Sequence, residues 1–198
     1  MGDFKPIETI YNGYRFRSRL EARWAVFFDA MGIDYEYEPE GFVLSDGTRY
    51  LPDFYLPQFD CYVEIKRKEL DFSERKEAER KISDGMKTDT WAGIICYGDP
   101  YDHELRLFCQ EYNDSSGGSY EDNVVIGLMP DTQEPMLFAW NDTRDRTFIS
   151  TFKKNKEIPV KTDTNYEYLD NPYVTQRVID AELKARQARF EHGETPTI

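Results

Sequence analysis

A stretch of alternating, strand-like sequence at residues 49–66, RYLPDFYLPQFDCYVEIK, contains Asp53, Glu64 and Lys66. The turn-like PQFD segment divides this stretch into two strands, so the pattern predicts a β-hairpin. If Leu56 pairs with Cys61 across the turn, Asp53 lies opposite Glu64. Paired Cβ atoms are then about 5 Å apart, and two negative charges at that distance repel each other.

The same alternation brings an amine to this position. Side chains along a strand point to opposite faces in turn, so Glu64 and Lys66 share one face, while Val63 and Ile65 share the other. A bare carboxylate pair destabilises a protein, whereas a divalent cation between the carboxylates makes the pair a binding site. The alternative interpretation is an ordinary solvated face, because Asp after Pro and Glu-x-Lys are both common sequences.

The elements around the hairpin predict a mixed sheet with helices packed on its faces, because a helix and several strands are followed by a second helix and a further strand. A helix is expected over residues 18–31, with Ser18 as its N-cap and Gly32 as its stop. A second helix is expected over 73–87, with Ser73 as its cap. The strands are expected at 35–38, 42–44, the two arms of the hairpin and 92–97.

Glu21 has two competing roles. It lies three residues after Ser18, so it fits a capping box in which its carboxylate bonds back to the start of the helix. Helical spacing also places it at the margin of the apolar face, from which it could reach the metal site as a third carboxylate. The sequence leaves both roles open.

The C-terminal half contains no chemical motif. Residues 113–123, NDSSGGSYEDN, predict a loop or linker between a core at 1–112 and an extension at 124–198 that packs on the core. Strands are expected at 124–129, 136–140 and 147–152. A long helix is expected from Asn171 to His192, ending at Gly193, with an apolar stripe suited to docking.

The net charge of −13 disfavours non-specific binding to phosphates, yet basic residues cluster near the predicted hairpin. The candidates for nucleic-acid contact are Arg17 and Arg19 before and within the first helix, and Arg67 and Lys68 after the hairpin. A solvated helix face is the alternative for the basic residues between 75 and 81, because glutamates are interleaved with them.

Cysteine and histidine usage limits the chemistry. The three cysteines, Cys61, Cys96 and Cys109, lack metal-ligand spacing. Cys61 and Cys96 lie in apolar, strand-like runs, which indicates buried thiols in a reducing cytosol. Two histidines exclude a histidine-rich metal site. No apolar run approaches the length of a membrane span, and the N-terminus lacks the form of a signal peptide, so we expect a cytoplasmic protein with no membrane partner.

Four segments together resemble the PD-(D/E)XK nuclease superfamily: YRFRSRLEARWAVFFDAMGI, YEPE, YLPDFYLP and YVEIK. They are most similar to small phage- and bacterial-type members and to transposon end-cleaving endonucleases. The resemblance covers about residues 11–100, and the ARFEHGE segment resembles tails of prophage-type proteins. It implies an α/β fold with a restriction-endonuclease-like core, a central mixed β-sheet flanked by helices, and a C-terminal β-plus-helix extension.

The resemblance also implies a role for each matching residue. Asp53 resembles the metal-bridging aspartate, Glu64 the second acidic ligand, and Lys66 the lysine that orients or activates the attacking water. The backbone carbonyl of Ile65 matches a group that often completes the metal shell. Glu21 resembles the helix glutamate that binds metal, directly or through water, in some branches.

The activity implied by the resemblance is that of a Mg²⁺-dependent DNA endonuclease, with Mn²⁺ able to substitute, in a bacterial or phage-infected cell. DNA is the expected partner, with a homodimer or a partner protein left open as a source of DNA affinity. Two alternatives remain: a non-catalytic nuclease-fold binding or inhibitor protein, and an RNA-directed nuclease.

Overall fold

The computed structural model describes residues 6–85, 92–110, 119–129, 132–143, 146–153, 156–161 and 174–190. Within these ranges the backbone forms strands, three α-helices and a 3-10 turn at Pro100–Asp102. The helices are α1 (Arg19–Met31), α2 (Phe72–Gly85) and α3 (Gln176–Gln187). The strands are β1 (Thr9–Tyr11), β2 (Tyr14–Phe16), β3 (Glu36–Tyr37), β4 (Phe42–Val43), β5 (Arg49–Tyr50), β6 (Phe54–Leu56), β7 (Cys61–Lys66), β8 (Ala92–Tyr97), β9 (Glu104–Gln110), β10 (Ser119–Leu128), β11 (Pro135–Thr143), β12 (Arg146–Lys153) and β13 (Lys156–Lys161).

Nine of these strands form one sheet, in the order β13-β12-β11-β10-β9-β8-β7-β6-β3. Strands β7 and β8 run parallel, and the other neighbouring pairs are antiparallel, so the sheet is mixed. The predicted mixed α/β class is confirmed. The hairpins β1-β2 and β4-β5 form two further small sheets.

The predicted hairpin forms with the expected register. Leu56 pairs with Cys61, and the β6-β7 ladder ends at the pair Phe54 and Val63. Asp53 therefore lies one residue outside the ladder rather than in a strand pair with Glu64. The ladder ends beside Pro52, because proline cannot donate a ladder hydrogen bond; residues 51–53 separate β5 from β6.

Helix α1 begins and ends as predicted. The Ser18 side chain accepts a hydrogen bond from the Glu21 backbone N–H, and Gly32 takes a left-handed conformation with φ of 73°. The helix buries its aromatic face against the sheet, and Trp24 Nε1 donates to the Gly98 carbonyl over 3.0 Å. This packing fixes the start of α1, where Arg17 and Glu21 lie, relative to the sheet.

The prediction of Ser73 as the cap of α2 is wrong, since the helix begins one residue earlier. The Glu74 N–H donates to Asp71 Oδ1 (2.9 Å), and the Asp71 N–H donates to Glu74 Oε2 (3.0 Å). This reciprocal pair satisfies two backbone donors at once, an advantage that Ser73 does not offer. The last predicted residues of this helix, 86 and 87, lie outside the described residues.

The predicted loop at 113–123 is wrong in part. Residues 119–123 belong to β10 and pair with 106–110 of β9, so a long antiparallel ladder outweighs their polar, turn-like composition. Residues 113–118 lie outside the described residues. The strands expected at 124–129, 136–140 and 147–152 correspond to β10, β11 and β12, whereas β1, β2, β9 and β13 were not predicted.

The C-terminal helix α3 is shorter than predicted. Residues 174–175 and 188–190 are not α-helical, and Ala188 has an extended ψ of 127°. The predicted boundaries at 171–173 and 191–193 lie outside the described residues. The apolar stripe of Val178, Ala181 and Ala185 is buried in the same core cluster as the aromatic face of α1.

Cys61 and Cys96 are buried free thiols, as expected. The side chain of Cys109 is not among those that the structure describes. None of the helices that the structure describes combines the length and apolar character needed to cross a membrane.

Candidate functional site

A cleft of about 510 Å³ opens between the β6-β7 hairpin, the start of α1 and the helix α2. It is lined by the sequence-predicted residues Arg17, Glu21, Asp53, Glu64, Ile65 and Lys66. Residues of α2 line the opposite side, among them Glu77 and Lys81. The structure therefore brings the predicted carboxylates and the lysine to one surface.

Asp53 is buried at the floor of this cleft. Its Oδ2 accepts a hydrogen bond from the Ile65 backbone N–H (2.7 Å), and its Oδ1 accepts one from Arg17 Nη2 (3.0 Å). Burial, together with the negative charges of Glu64 and Glu21, raises the pKa of Asp53 to about 8. The carboxyl group thus holds its proton more tightly than an ordinary aspartate, because a buried charge beside like charges is unfavourable.

Glu64 is also buried and is held from two sides. Its Oε2 accepts a hydrogen bond from the Tyr50 hydroxyl (2.7 Å), and its Oε1 pairs with Lys66 Nζ. The strand period of two places Glu64 and Lys66 on the same face of β7, as predicted. Burial lowers the pKa of Lys66, but the Glu64 carboxylate outweighs that effect, so the pKa lies above its ordinary value and the amine stays charged.

Glu21 lies both at the helix cap and at the cleft, the two locations that its two sequence-predicted roles require. Its Oε1 accepts a hydrogen bond from the Ser18 hydroxyl (2.7 Å) and its Oε2 accepts one from the Tyr37 hydroxyl (2.6 Å), with the Arg17 N–H also directed at Oε2 (3.1 Å). The carboxylate thus caps the helix while lining the cleft. Both oxygens have donors from the protein, which fixes the backbone at Arg17.

Of the four basic residues predicted to contact nucleic acid, Arg17 alone is among the described residues that line the cleft. Arg67 pairs with Glu74 (2.9 Å), which lines the cleft, whereas Lys68 pairs with Asp102 (2.9 Å), which does not. Arg19 lies in the first turn of α1. These four residues therefore do not line the cleft together.

Sequence analysis missed three contributors to the cleft. Tyr50 and Tyr37 donate their hydroxyls to Glu64 and Glu21, and Lys81 lines the cleft from α2, paired with Glu77 at 3.4 Å. A signal existed for Lys81, because residues 74, 77, 78 and 81 share one helical face. No local signal identifies the tyrosines, whose partners lie 14 and 16 residues away.

The donor set fits a hard divalent cation bound through two carboxylates. Mg²⁺ is usually bound through one or two carboxylates and retains several waters, and Asp53 and Glu64 offer such oxygens in one cleft. No group of three His, Cys, Asp or Glu side chains within the described ranges is arranged to hold a metal. In the present arrangement Arg17 and Lys66 supply positive charge to the two carboxylates.

No protein-family model matches the sequence, and a search of curated proteins gives no match.

Proposed function

We propose that the chain is a Mg²⁺-dependent endonuclease of the PD-(D/E)XK type that hydrolyses phosphodiester bonds in DNA. The observation that carries this proposal is the meeting of Asp53, Glu64 and Lys66 in one open cleft. Two buried carboxylates facing an accessible cleft are costly to a fold, so we infer that they are retained for a ligand that offsets their charge.

Asp53 and Glu64 are the proposed ligands of the cation, with the Ile65 carbonyl as a third oxygen. The cation, when bound, lowers the pKa of a coordinated water and offsets charge on the phosphoryl oxygens. Lys66 keeps its proton because Glu64 raises its pKa, so its role is to hold the phosphate and the water by charge and hydrogen bonding. Glu21 positions the backbone of Arg17 and does not need to bind the cation.

DNA is the proposed substrate and the cytoplasm of a bacterial or phage-infected cell the proposed location. The net charge of −13 opposes DNA binding over most of the surface, so affinity must come from the cleft, a second copy or a partner protein. At the cleft, Arg17, Lys66 and Lys81 are the basic side chains that line it among the described residues.

The test is cleavage of supercoiled plasmid and of branched DNA by purified protein with Mg²⁺, Mn²⁺ or EDTA. We expect cutting with either metal, none with EDTA, and a loss of about 10³-fold or more in Asp53→Ala. Asp34→Ala is the matched control, because Asp34 is an exposed aspartate in the loop between α1 and β3. Equal cleavage by wild type and Asp53→Ala would indicate a contaminating nuclease and overturn the proposal.

One observation favours a second candidate, a non-catalytic binding protein that keeps the nuclease fold. The oxygens of Asp53 and Glu64 already have donors within the protein, namely Arg17, Ile65, Tyr50 and Lys66. Isothermal titration with Mg²⁺ and Mn²⁺ separates the two candidates, because the endonuclease requires cation binding and the non-catalytic protein does not. A parallel digestion of single-stranded RNA tests the RNA-directed alternative.

A further inference from the structure

We propose that Arg17 is the exchangeable counterion of the site: its guanidinium occupies the place beside Asp53 that a divalent cation takes, and it leaves Asp53 when the cation binds. This inference rests on the proposed metal site and assigns to Arg17 the control of access to it.

The contacts of Asp53 show for which of its oxygens Arg17 and a divalent cation would compete. The backbone N–H of Ile65 holds Oδ2 over 2.7 Å, and that bond is fixed by the β6-β7 hairpin. The other oxygen, Oδ1, bonds to Arg17 Nη2 over 3.0 Å. Oδ1 is therefore the oxygen whose present partner is a side chain that can move. A cation that binds Oδ1 must displace the Arg17 guanidinium.

The surroundings of Arg17 suit an exchange. Its side chain is 54% exposed, whereas that of Asp53 is 6% exposed, so the guanidinium reaches inward from solvent. Its backbone N–H is directed at Glu21 Oε2 (3.1 Å) and the Tyr37 hydroxyl (3.0 Å), which fixes the base of the side chain. A second carboxylate, Glu38, lies 2.6 Å from Nε and can retain the guanidinium once it leaves Asp53.

Because both are positively charged, the Arg17 guanidinium and a divalent cation exclude each other from Asp53 Oδ1. A divalent cation bound at Oδ1 with Arg17 still in place would bring two positive groups within a few ångströms in a partly buried site, where repulsion is strong. Each occupant therefore weakens the other, and by linkage such coupling is reciprocal. The released guanidinium, with its fork of five donors, is then free to bond a phosphate at the mouth of the cleft.

The test measures the affinity of one variant for two ligands, a divalent cation and DNA. Isothermal titration with Mn²⁺ gives cation affinity, and fluorescence anisotropy of a short labelled duplex in Ca²⁺ gives DNA affinity. We expect Arg17→Met to bind Mn²⁺ on the order of tenfold more tightly and to bind the duplex several-fold more weakly. A purely structural role for Arg17 would weaken both.

The matched control is Arg15→Met, which removes an equal charge two residues away. Arg15 is 73% exposed and pairs with Glu8 rather than with a carboxylate of the cleft. We expect its Mn²⁺ affinity to stay within about twofold of wild type, because exposed charges are screened. Arg17→Lys keeps the charge and should retain an affinity close to wild type, which provides a second reading if Arg17→Met folds poorly.

The outcomes separate this inference from the proposed function. Unchanged or weaker Mn²⁺ binding in Arg17→Met, or equal tightening in Arg15→Met or Arg17→Lys, overturns the counterion role. If both wild type and Arg17→Met bind Mn²⁺ in the expected order but no DNA is cut, the counterion role stands and the nuclease proposal fails. If neither protein binds Mn²⁺, both fail.

Discussion

The buried carboxylates of the described chain fall into two groups. Glu21, Asp53 and Glu64 line one cleft, whereas Asp84 and Glu182 do not line it. Asp84, near the end of α2, accepts hydrogen bonds from the Ser45 N–H (2.8 Å) and the Ser45 hydroxyl (2.6 Å). Glu182 on α3 lies 3.0 Å from His103 Nε2.

The difference between the groups lies in what each carboxylate achieves for the fold. Asp84 ties α2 to the β4-β5 hairpin, and Glu182 ties α3 to the segment before β9, so the burial of each is offset by a connection between elements. In the cleft, burial and like charges raise the pKa of Asp53, so repulsion remains despite Arg17 and Lys66. Repulsion between carboxylates that remains in an open cleft indicates a binding site. A buried carboxylate whose hydrogen bonds connect two elements indicates a structural role.

The sharpest test of this contrast replaces one glutamate from each group. We expect Glu64→Gln to lower plasmid cleavage about 10³-fold, because the neutral amide is a poor ligand for a hard cation. Glu182→Gln should cut at the wild-type rate but unfold more easily, since it weakens the contact with His103. Cleavage rates and urea midpoints, measured on the same preparations, report both effects. Similar cleavage rates for the two variants would contradict the assignment of a catalytic role to Glu64 and a structural role to Glu182.

The second test uses pH. The pKa of Asp53 is raised in the folded state, so this residue contributes stability that is fully present below its unfolded pKa of about 4 and is lost as pH rises through the folded value. In EDTA, we expect the free energy of unfolding to fall by roughly 2–4 kcal/mol between pH 5 and pH 8. Added Mg²⁺ should restore much of it at pH 8. Stability that stays flat or rises over this interval would contradict residual repulsion at Asp53.

Local chemistry explains what the sequence could predict. The hairpin register follows from a four-residue turn and strict alternation, and the start of α1 follows from Ser18 and Glu21, which lie three residues apart. Each signal is contained in a few neighbouring residues, so no knowledge of the tertiary structure is needed. The presence of Asp53, Glu64 and Lys66 in one cleft was predictable for the same reason.

Long-range contacts explain what the sequence could not predict. Arg17 meets Asp53 across 36 positions, and Tyr50 meets Glu64 across 14, so no periodicity connects them. The polar residues 119–123 have a loop composition, yet they form strand because β9 provides a partner for their backbone groups. For α2, the sequence predicted Ser73 as the cap, whereas reciprocal hydrogen bonds between Asp71 and Glu74 form at the start of the helix, which begins one residue earlier.

The third test compares the same substitution in both groups. At pH 8 in EDTA, Asp53→Asn should raise the free energy of unfolding by about 1–3 kcal/mol, because it removes a buried charge beside Glu64. Asp84→Asn should lower it by about 1 kcal/mol, since hydrogen bonds from Ser45 to a neutral acceptor are weaker. Chemical denaturation gives both values. Effects of the same sign would show that carboxylates inside and outside the cleft do not differ in this respect.

The smallest expected effect concerns the tyrosines that orient carboxylates. The Tyr50 hydroxyl donates to Glu64 inside the cleft, and the Tyr55 hydroxyl donates to Asp60 at the hairpin turn, both over 2.7 Å. Removing a donor that orients a metal ligand typically costs about tenfold in affinity or rate, so we expect Tyr50→Phe to cut DNA roughly tenfold more slowly. Tyr55→Phe removes an equivalent bond outside the cleft and should leave the rate unchanged. An unchanged rate in a folded Tyr50→Phe would show that Glu64 keeps its orientation without this bond, so that Lys66 and the strand would hold it unaided.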